Sequence, residues 1–186
     1  MSTGRKIFIG LGAAVVLILG FFAYIMLTTR SHSPKALAEF KSDELVVTVD
    51  YCQPYKKGRV IFGSEESDAL QPYGEFWRVG ANEATEIEIS EDVLFAGEPL
   101  DKGRYVLYAV PGESNWIIGL NSELGRWGVP EVDHDLDVLL VEVEAKRLSS
   151  SQEQLTIEVD EYEMGEGSGT LSAKKVRRAE SGLSLR

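Results

Sequence analysis

From Ile7 to Leu27 the chain runs 21 residues without a charged side chain, nearly all of them apolar. As a helix at about 1.5 Å per residue such a run is about 30 Å long, the thickness of a bilayer's hydrocarbon core. The apolar region of a cleaved signal peptide is usually only ~7–15 residues. Ala36-Leu37-Ala38 has the small-residue look of a cleavage site but lies well beyond the run. The length therefore predicts an uncleaved anchor, residues 7–27, whose partner is the lipid bilayer. No Cys directly follows it, which argues against a lipoprotein anchor.

Arg5, Lys6 and the terminal amine precede the run, whereas Arg30 and Lys35 follow it, diluted by Glu39. The positive-inside tendency then puts residues 1–6 in the cytoplasm and everything after the anchor in the periplasm or outside, a single pass through the inner membrane. Residues 28–43 read as a polar spacer, residues 44–163 as the folded domain and residues 164–186 as a basic flexible tail.

After Glu44 the pattern has period two. Leu45, Val47, Val49 and Tyr51 share one face, and Val46, Thr48 and Asp50 the other. Further short runs of strand character are Arg59–Phe62, Thr85–Ser90, Asp92–Ala96, Arg104–Val110, Trp116–Leu120, Val138–Val143 and Leu155–Val159. Pro111-Gly112-Glu113-Ser114 is the loop of an expected hairpin. With turn signals between them and no helix beyond the anchor, these runs predict an all-β fold, an antiparallel β-sandwich of jelly-roll-like type. Trp116, Tyr105 and Tyr108 are expected in its core.

Charge narrows the partners. Residues 40–165 hold 10 Lys and Arg against 27 Asp and Glu, while the rest of the chain holds 9 against 3. A domain with a net of −17 is a poor match for nucleic acid, which requires clustered basic residues. The basic residues Lys174, Lys175, Arg177 and Arg178 fit contact with anionic lipid if the tail reaches the membrane face. Cys52 is the one cysteine, so an internal disulfide and a C-x-x-C site are both excluded.

The densest concentration of chemistry lies between Gln71 and Ile89. Here a turn (Pro72, Tyr73, Gly74) leads to Phe76-Trp77, then to Arg78, Gly80, Asn82 and Glu83, and into an alternating strand. One reading makes this a binding site formed by Arg59, Tyr73, Trp77, Arg78, Asn82 and Glu83. Arg would hold a carboxylate or phosphate, Trp77 would stack on a ring, and Glu83 would accept a hydrogen bond or serve as catalytic acid/base. The other makes it a rigid corner, with Asn82 and Glu83 satisfying backbone groups and Arg78 paired to Glu83.

Asp133-His134-Asp135-Leu136-Asp137 lacks the glycine of a calcium loop and reads as a solvated lead-in to a strand, so no metal is assigned. No nucleotide-loop or nucleophile-elbow motif is present, and no cofactor is expected. Trp127 is a candidate stacking residue if exposed.

Trp77-Arg78-Val79-Gly80-Ala81-Asn82-Glu83-Ala84-Thr85 resembles the W-R-x-G-A-N-E-A-T signature of a bacterial family common in Bacteroidetes, a domain of unknown function. Gln53-Pro54, Lys57-Gly58-Arg59, Pro72-Tyr73-Gly74, Gly103-Arg104-Tyr105, Ala109-Val110-Pro111-Gly112 and Trp127-Gly128 are similar to it as well, over roughly residues 46–160. The resemblance implies an exported β-rich domain and brings no established activity. This chain departs from the pattern after Leu171, where Lys174-Lys175-Val176-Arg177-Arg178 replaces an apolar closing strand.

Three functions remain open. The first is a binding module for a small polar ligand, glycan or envelope protein. The second is an envelope hydrolase or isomerase using Glu83, Arg78 and Arg59 on an anionic small molecule. The third is a structural subunit of a membrane complex. An enzyme predicts a Glu83 carboxyl with a raised pKa, whereas a binding module predicts an exposed aromatic beside the polar run.

Overall fold

The computed structural model describes residues 3–159, 170–171, 175–177 and 183–185. It separates into two units, Met1–His32 and Ser33–Arg186.

The first unit is helix α1, Thr3–His32. Its stretch Ile9–His32 is long and apolar enough to cross a membrane. Val16, Leu17, Leu19 and Phe21 are all exposed, a surface that suits lipid and not water. The helix continues past Leu27, where the hydroxyls of its polar end bond back to its own carbonyls: Thr28 Oγ1 donates to Tyr24 O at 2.8 Å and Thr29 Oγ1 to Ile25 O at 2.6 Å.

In the second unit the first strand, β1 (Lys35–Lys41), falls within the stretch expected as spacer. Residues 28–43 thus hold the end of α1 and a complete strand. The cause is visible in Lys-Ala-Leu-Ala-Glu-Phe-Lys, where Ala36, Ala38 and Phe40 alternate with exposed residues and pack on the core.

The remaining strands are β2 (Val46–Cys52), β3 (Phe62–Gly63), β4 (Gln71–Pro72), β5 (Thr85–Ile89), β6 (Val93–Phe95), β7 (Glu98–Leu100), β8 (Gly103–Val110), β9 (Asn115–Asn121), β10 (Asp137–Arg147) and β11 (Thr156–Glu158). Three more, β12 (Thr170–Leu171), β13 (Lys175–Arg177) and β14 (Leu183–Leu185), occupy the described part of the stretch expected as a tail. Lys174 and Arg178 and the side chains of Lys175 and Arg177, expected at anionic lipid, lie outside the described residues, as does the rest of that tail.

Among the described residues, nine strands form one sheet in the order β1-β2-β5-β8-β9-β10-β14-β13-β11, every neighbouring pair antiparallel. The protein is therefore mostly β, with one N-terminal apolar helix. Period two places the side chains: on β5, Thr85, Ile87 and Ile89 are buried and Glu88 is exposed. Trp116, 1% exposed, packs between Phe62 and Trp77 within the principal core. On the sheet's other face Ala84, Val106, Tyr108 and Val132 form a smaller cluster with Phe76.

The sheet curls until its last strand stands beside its first ones. Tyr51 Oη on β2 accepts from Ile157 N on β11 at 3.0 Å and from Gln53 Nε2 at 3.0 Å. Gln53 Nε2 also donates to Leu155 O at 3.2 Å. Tyr51→Phe would leave the buried Ile157 N–H without its acceptor. The expected loss is ~1–3 kcal/mol in denaturant unfolding, and an unchanged midpoint would show that the hydroxyl does not close the sheet.

Candidate functional site

The segment after Trp77 turns a corner. Trp77 is tied to β8, its N–H donating to Ala109 O at 2.7 Å and its carbonyl accepting from Ala109 N at 2.8 Å. The chain must then reverse to begin β5 at Thr85. It does so with positive φ at Val79 (51°), Gly80 (150°) and Asn82 (63°). Glycine and asparagine tolerate this region, but a β-branched valine is forced into it. Burial of Val79 and a 2.7 Å hydrogen bond from the fully buried Thr85 Oγ1 to Val79 O hold it there. Strain maintained by its surroundings is a reason to look for function at this corner.

Two other segments complete it. Residues 126–128 run alongside: Ala84 N donates to Arg126 O at 3.2 Å, Gly128 N donates to Asn82 O at 2.9 Å, and Glu83 and Trp127 form an antiparallel bridge. A Cβ at Gly128 would overlap the Arg78 side chain, so glycine there lets the Arg78 stem lie against the loop. The facing ends of β1 and β2 make the other wall, where Lys35 pairs with Cys52 in the sheet. A Cβ on Gly80 would come within 3.1 Å of Cys52 O, so the corner approaches β2 closely.

Glu83 is the electrostatic centre. Its Oε1 lies 3.4 Å from Lys35 Nζ, and its Oε2 accepts from Cys52 Sγ at 3.5 Å. Burial pushes its pKa up, but its own backbone N–H, the Lys35 ammonium and the Cys52 thiol outweigh that and hold the carboxyl below the usual range. A carboxylate ionised this firmly serves as a hydrogen-bond acceptor and is poorly matched to general-acid work at neutral pH. Burial raises the Cys52 pKa, with Asn82 opposing and Glu83 adding to the rise, so the thiol stays protonated and weakly nucleophilic.

Arg78 is different. Its guanidinium is half-buried, and that burial pulls its pKa down. Among the described residues no carboxylate lies within ion-pair distance of it, and its Nε reaches only Gly80 O, at 3.5 Å. A charged donor fork with so little returned for its desolvation is suited to an anionic acceptor.

Of the six residues expected at a site, the corner unites Arg78, Asn82 and Glu83. Trp77 turns its ring into the core, edge-on to Phe62 (centroids 4.8 Å) and to Trp116 (5.7 Å). Tyr73 packs on the same core. Arg59 is occupied in its own loop, donating from Nε to Lys56 O at 2.9 Å and from Nη2 to Tyr55 O at 2.7 Å. The exposed aromatic beside the polar run is Trp127, 49% exposed. Lys35 and Cys52 join the corner without being foreseen. The alternation around Lys35 was the available signal for a strand, but nothing local indicated its register.

A second polar cluster gathers where β8, β9 and β10 meet the loop before β10. Asp137 Oδ2 accepts from Tyr108 Oη at 2.7 Å and faces His134 Nδ1 at 2.7 Å, while Asn121 Nδ2 donates to Asp137 Oδ1 at 2.8 Å. His134 Nε2 faces Glu131 Oε1 at 3.0 Å. Both ring nitrogens are engaged by carboxylates, so His134 is part of a structural clasp here.

A family model described as a protein of unknown function, DUF2911, matches residues 33–177. No curated protein and no solved structure matches the chain.

Proposed function

The chain belongs to the DUF2911 family, whose described function is unknown, and we propose that it is a membrane-anchored binding module that holds a small anionic ligand at the Arg78 corner. The anchor is α1, with the domain outside the cytoplasm. The observation that carries the reading is the half-buried Arg78 guanidinium, which has no carboxylate partner among the described residues. Trp127 supports it as an exposed ring whose neighbour, Gly128, packs against Arg78. A sugar acid or sugar phosphate would present an anion to the guanidinium and an apolar ring face to the indole. Glu83, ionised and facing Lys35, would accept from ligand hydroxyls. The enzyme reading loses weight because it needs a raised Glu83 pKa and the corner lowers it.

The test is a thermal-shift screen of the full chain in detergent micelles against uronic acids, sugar phosphates and simple dicarboxylates. A ligand at a hundred times its Kd stabilises by about 2.7 kcal/mol. The expected hit stabilises the wild type, while Arg78→Lys weakens its binding by roughly ten- to a hundredfold, the fork being lost. Trp127→Ala should weaken it as well. If no compound stabilises the protein, or Arg78→Lys binds as tightly as wild type, the reading fails.

A further inference from the structure

We propose that His134 is a positioning residue whose charged form clasps the loop carrying Trp127, so that the corner is held in mildly acidic solution and released as pH rises. This deepens the binding reading above and rests on it only for the consequence to a ligand.

Carboxylates accept and do not donate, and a neutral imidazole carries one N–H. His134 Nδ1 lies 2.7 Å from Asp137 Oδ2 and Nε2 lies 3.0 Å from Glu131 Oε1. Both contacts are satisfied together only by the imidazolium. Tyr108 Oη also lies 3.2 Å from Nδ1, but its one proton is given to Asp137 Oδ2 at 2.7 Å. Deprotonation therefore leaves one nitrogen's lone pair facing a carboxylate, and one of the two links is lost.

The links join different parts of the fold. Asp137 begins β10 and is fixed by Tyr108 on β8 and Asn121 on β9. Glu131 lies in the loop, and its carbonyl accepts from Arg126 Nη2 at 2.8 Å, as Pro130 O does at 2.6 Å. Arg126 precedes Trp127, and its carbonyl accepts from Ala84 N beside the corner. A contiguous set of contacts thus runs from the sheet through His134 and Glu131 to Trp127 and Gly128. The other charged groups near His134 are accounted for. Asp133 accepts from Asp135 N at 3.1 Å, its own N–H meets Glu123 Oε2 at 3.5 Å, and Glu123 lies 3.5 Å from Arg126 Nε. Tyr108, the remaining titratable group on the ring, has its pKa raised by burial and by Asp137, so it stays a neutral donor.

The sign follows from these partners. Hydrogen bonds donated by the imidazolium to Glu131 and Asp137 raise the His134 pKa above its ordinary 6.5. A raised pKa means the clasp contributes fully below 6.5 and is lost as pH climbs through the higher folded value. Asp137 is held below its ordinary 3.8 despite burial, chiefly by Asn121, Tyr108 and His134, so it stays an ionised acceptor throughout the range in which His134 titrates.

Hydrogen exchange of the full chain in micelles reads the loop directly and needs no ligand. Protection of the Gly125 and Gly128 amides, corrected for intrinsic rates, should fall roughly tenfold between about pH 5.5 and about pH 8.5, while β8 and β9 amides keep theirs. His134→Gln should abolish that pH dependence. Glu131→Gln, which retains an acceptor but removes a charge, should move the midpoint to lower pH, and it decides the matter if His134→Gln fails to fold. Protection that does not change with pH in the wild type, or that still changes in His134→Gln, or a midpoint unmoved by Glu131→Gln, overturns the proposal. None of these outcomes bears on whether Arg78 binds an anion, and an empty ligand screen leaves the clasp untouched.

Discussion

Trp116→Ala is expected to cost ~3–5 kcal/mol and to lower the melting temperature by on the order of 10 °C, followed by near-ultraviolet circular dichroism. The indole is 1% exposed and is the common neighbour of Phe62, at 4.8 Å between centroids, and Trp77, at 5.7 Å. Phe62 and Trp77 in turn meet edge-on at 4.8 Å. Removing the central ring leaves a cavity whose other walls are strand residues held by backbone ladders, so little collapse can fill it. Because Trp77 immediately precedes Arg78, the loss should also reach the corner. A shift below about 2 °C would mean that the three rings do not form the core described here.

Gly119→Ala is the second large effect, at about 3 kcal/mol. Gly119 lies opposite Tyr108 across the β8–β9 ladder, and a Cβ there would overlap the Tyr108 ring. That ring is 1% exposed, lies 5.3 Å from Phe76 between centroids, and is fixed by the hydroxyl's 2.7 Å bond to Asp137. Displacing it combines overpacking with a lost hydrogen bond and uncovers the smaller core. Gly74 provides the contrast: its φ is +85° but no atom lies within 4 Å of an added Cβ. Alanine there costs about 1 kcal/mol, from backbone conformation alone. Equal losses in the two variants would show that Tyr108 does not pack over Gly119.

Trp116, Tyr108 and Gly119 are legible in the sequence to different degrees. Trp116 and Tyr108 were expected in the core because each lies in an apolar run of strand character. Gly119 gave no such signal, since its importance arises only from the ring placed across from it by register. The corner shows the same division. Arg78, Asn82 and Glu83 stand within six residues of one another, so their meeting needed no long-range information. Arg59 and Tyr73, also expected near them, are directed elsewhere, Arg59 by carbonyls of its own loop and Tyr73 by the core. Trp77 follows the inward direction set by its bridge to Ala109.

His134 illustrates the limit most clearly. Its sequence surroundings offer carboxylates at several spacings, and a solvated lead-in was the natural reading. What the sequence pattern could not contain is that Tyr108, 26 residues earlier, places a buried hydroxyl on the same Asp137 oxygen.

The apolar span, the β character of the rest and the inward face of β2 can all be read from the amino-acid order alone. Those properties depend on run length and on a period of two, both of which are local. The strand order, the curl that brings β11 to Tyr51, and the convergence of Lys35, Cys52, Arg78 and Glu83 with the Trp127 loop emerge from the folded chain. Each of these rests on pairing between segments far apart in the chain, where a slip of one residue turns every side chain to the opposite face.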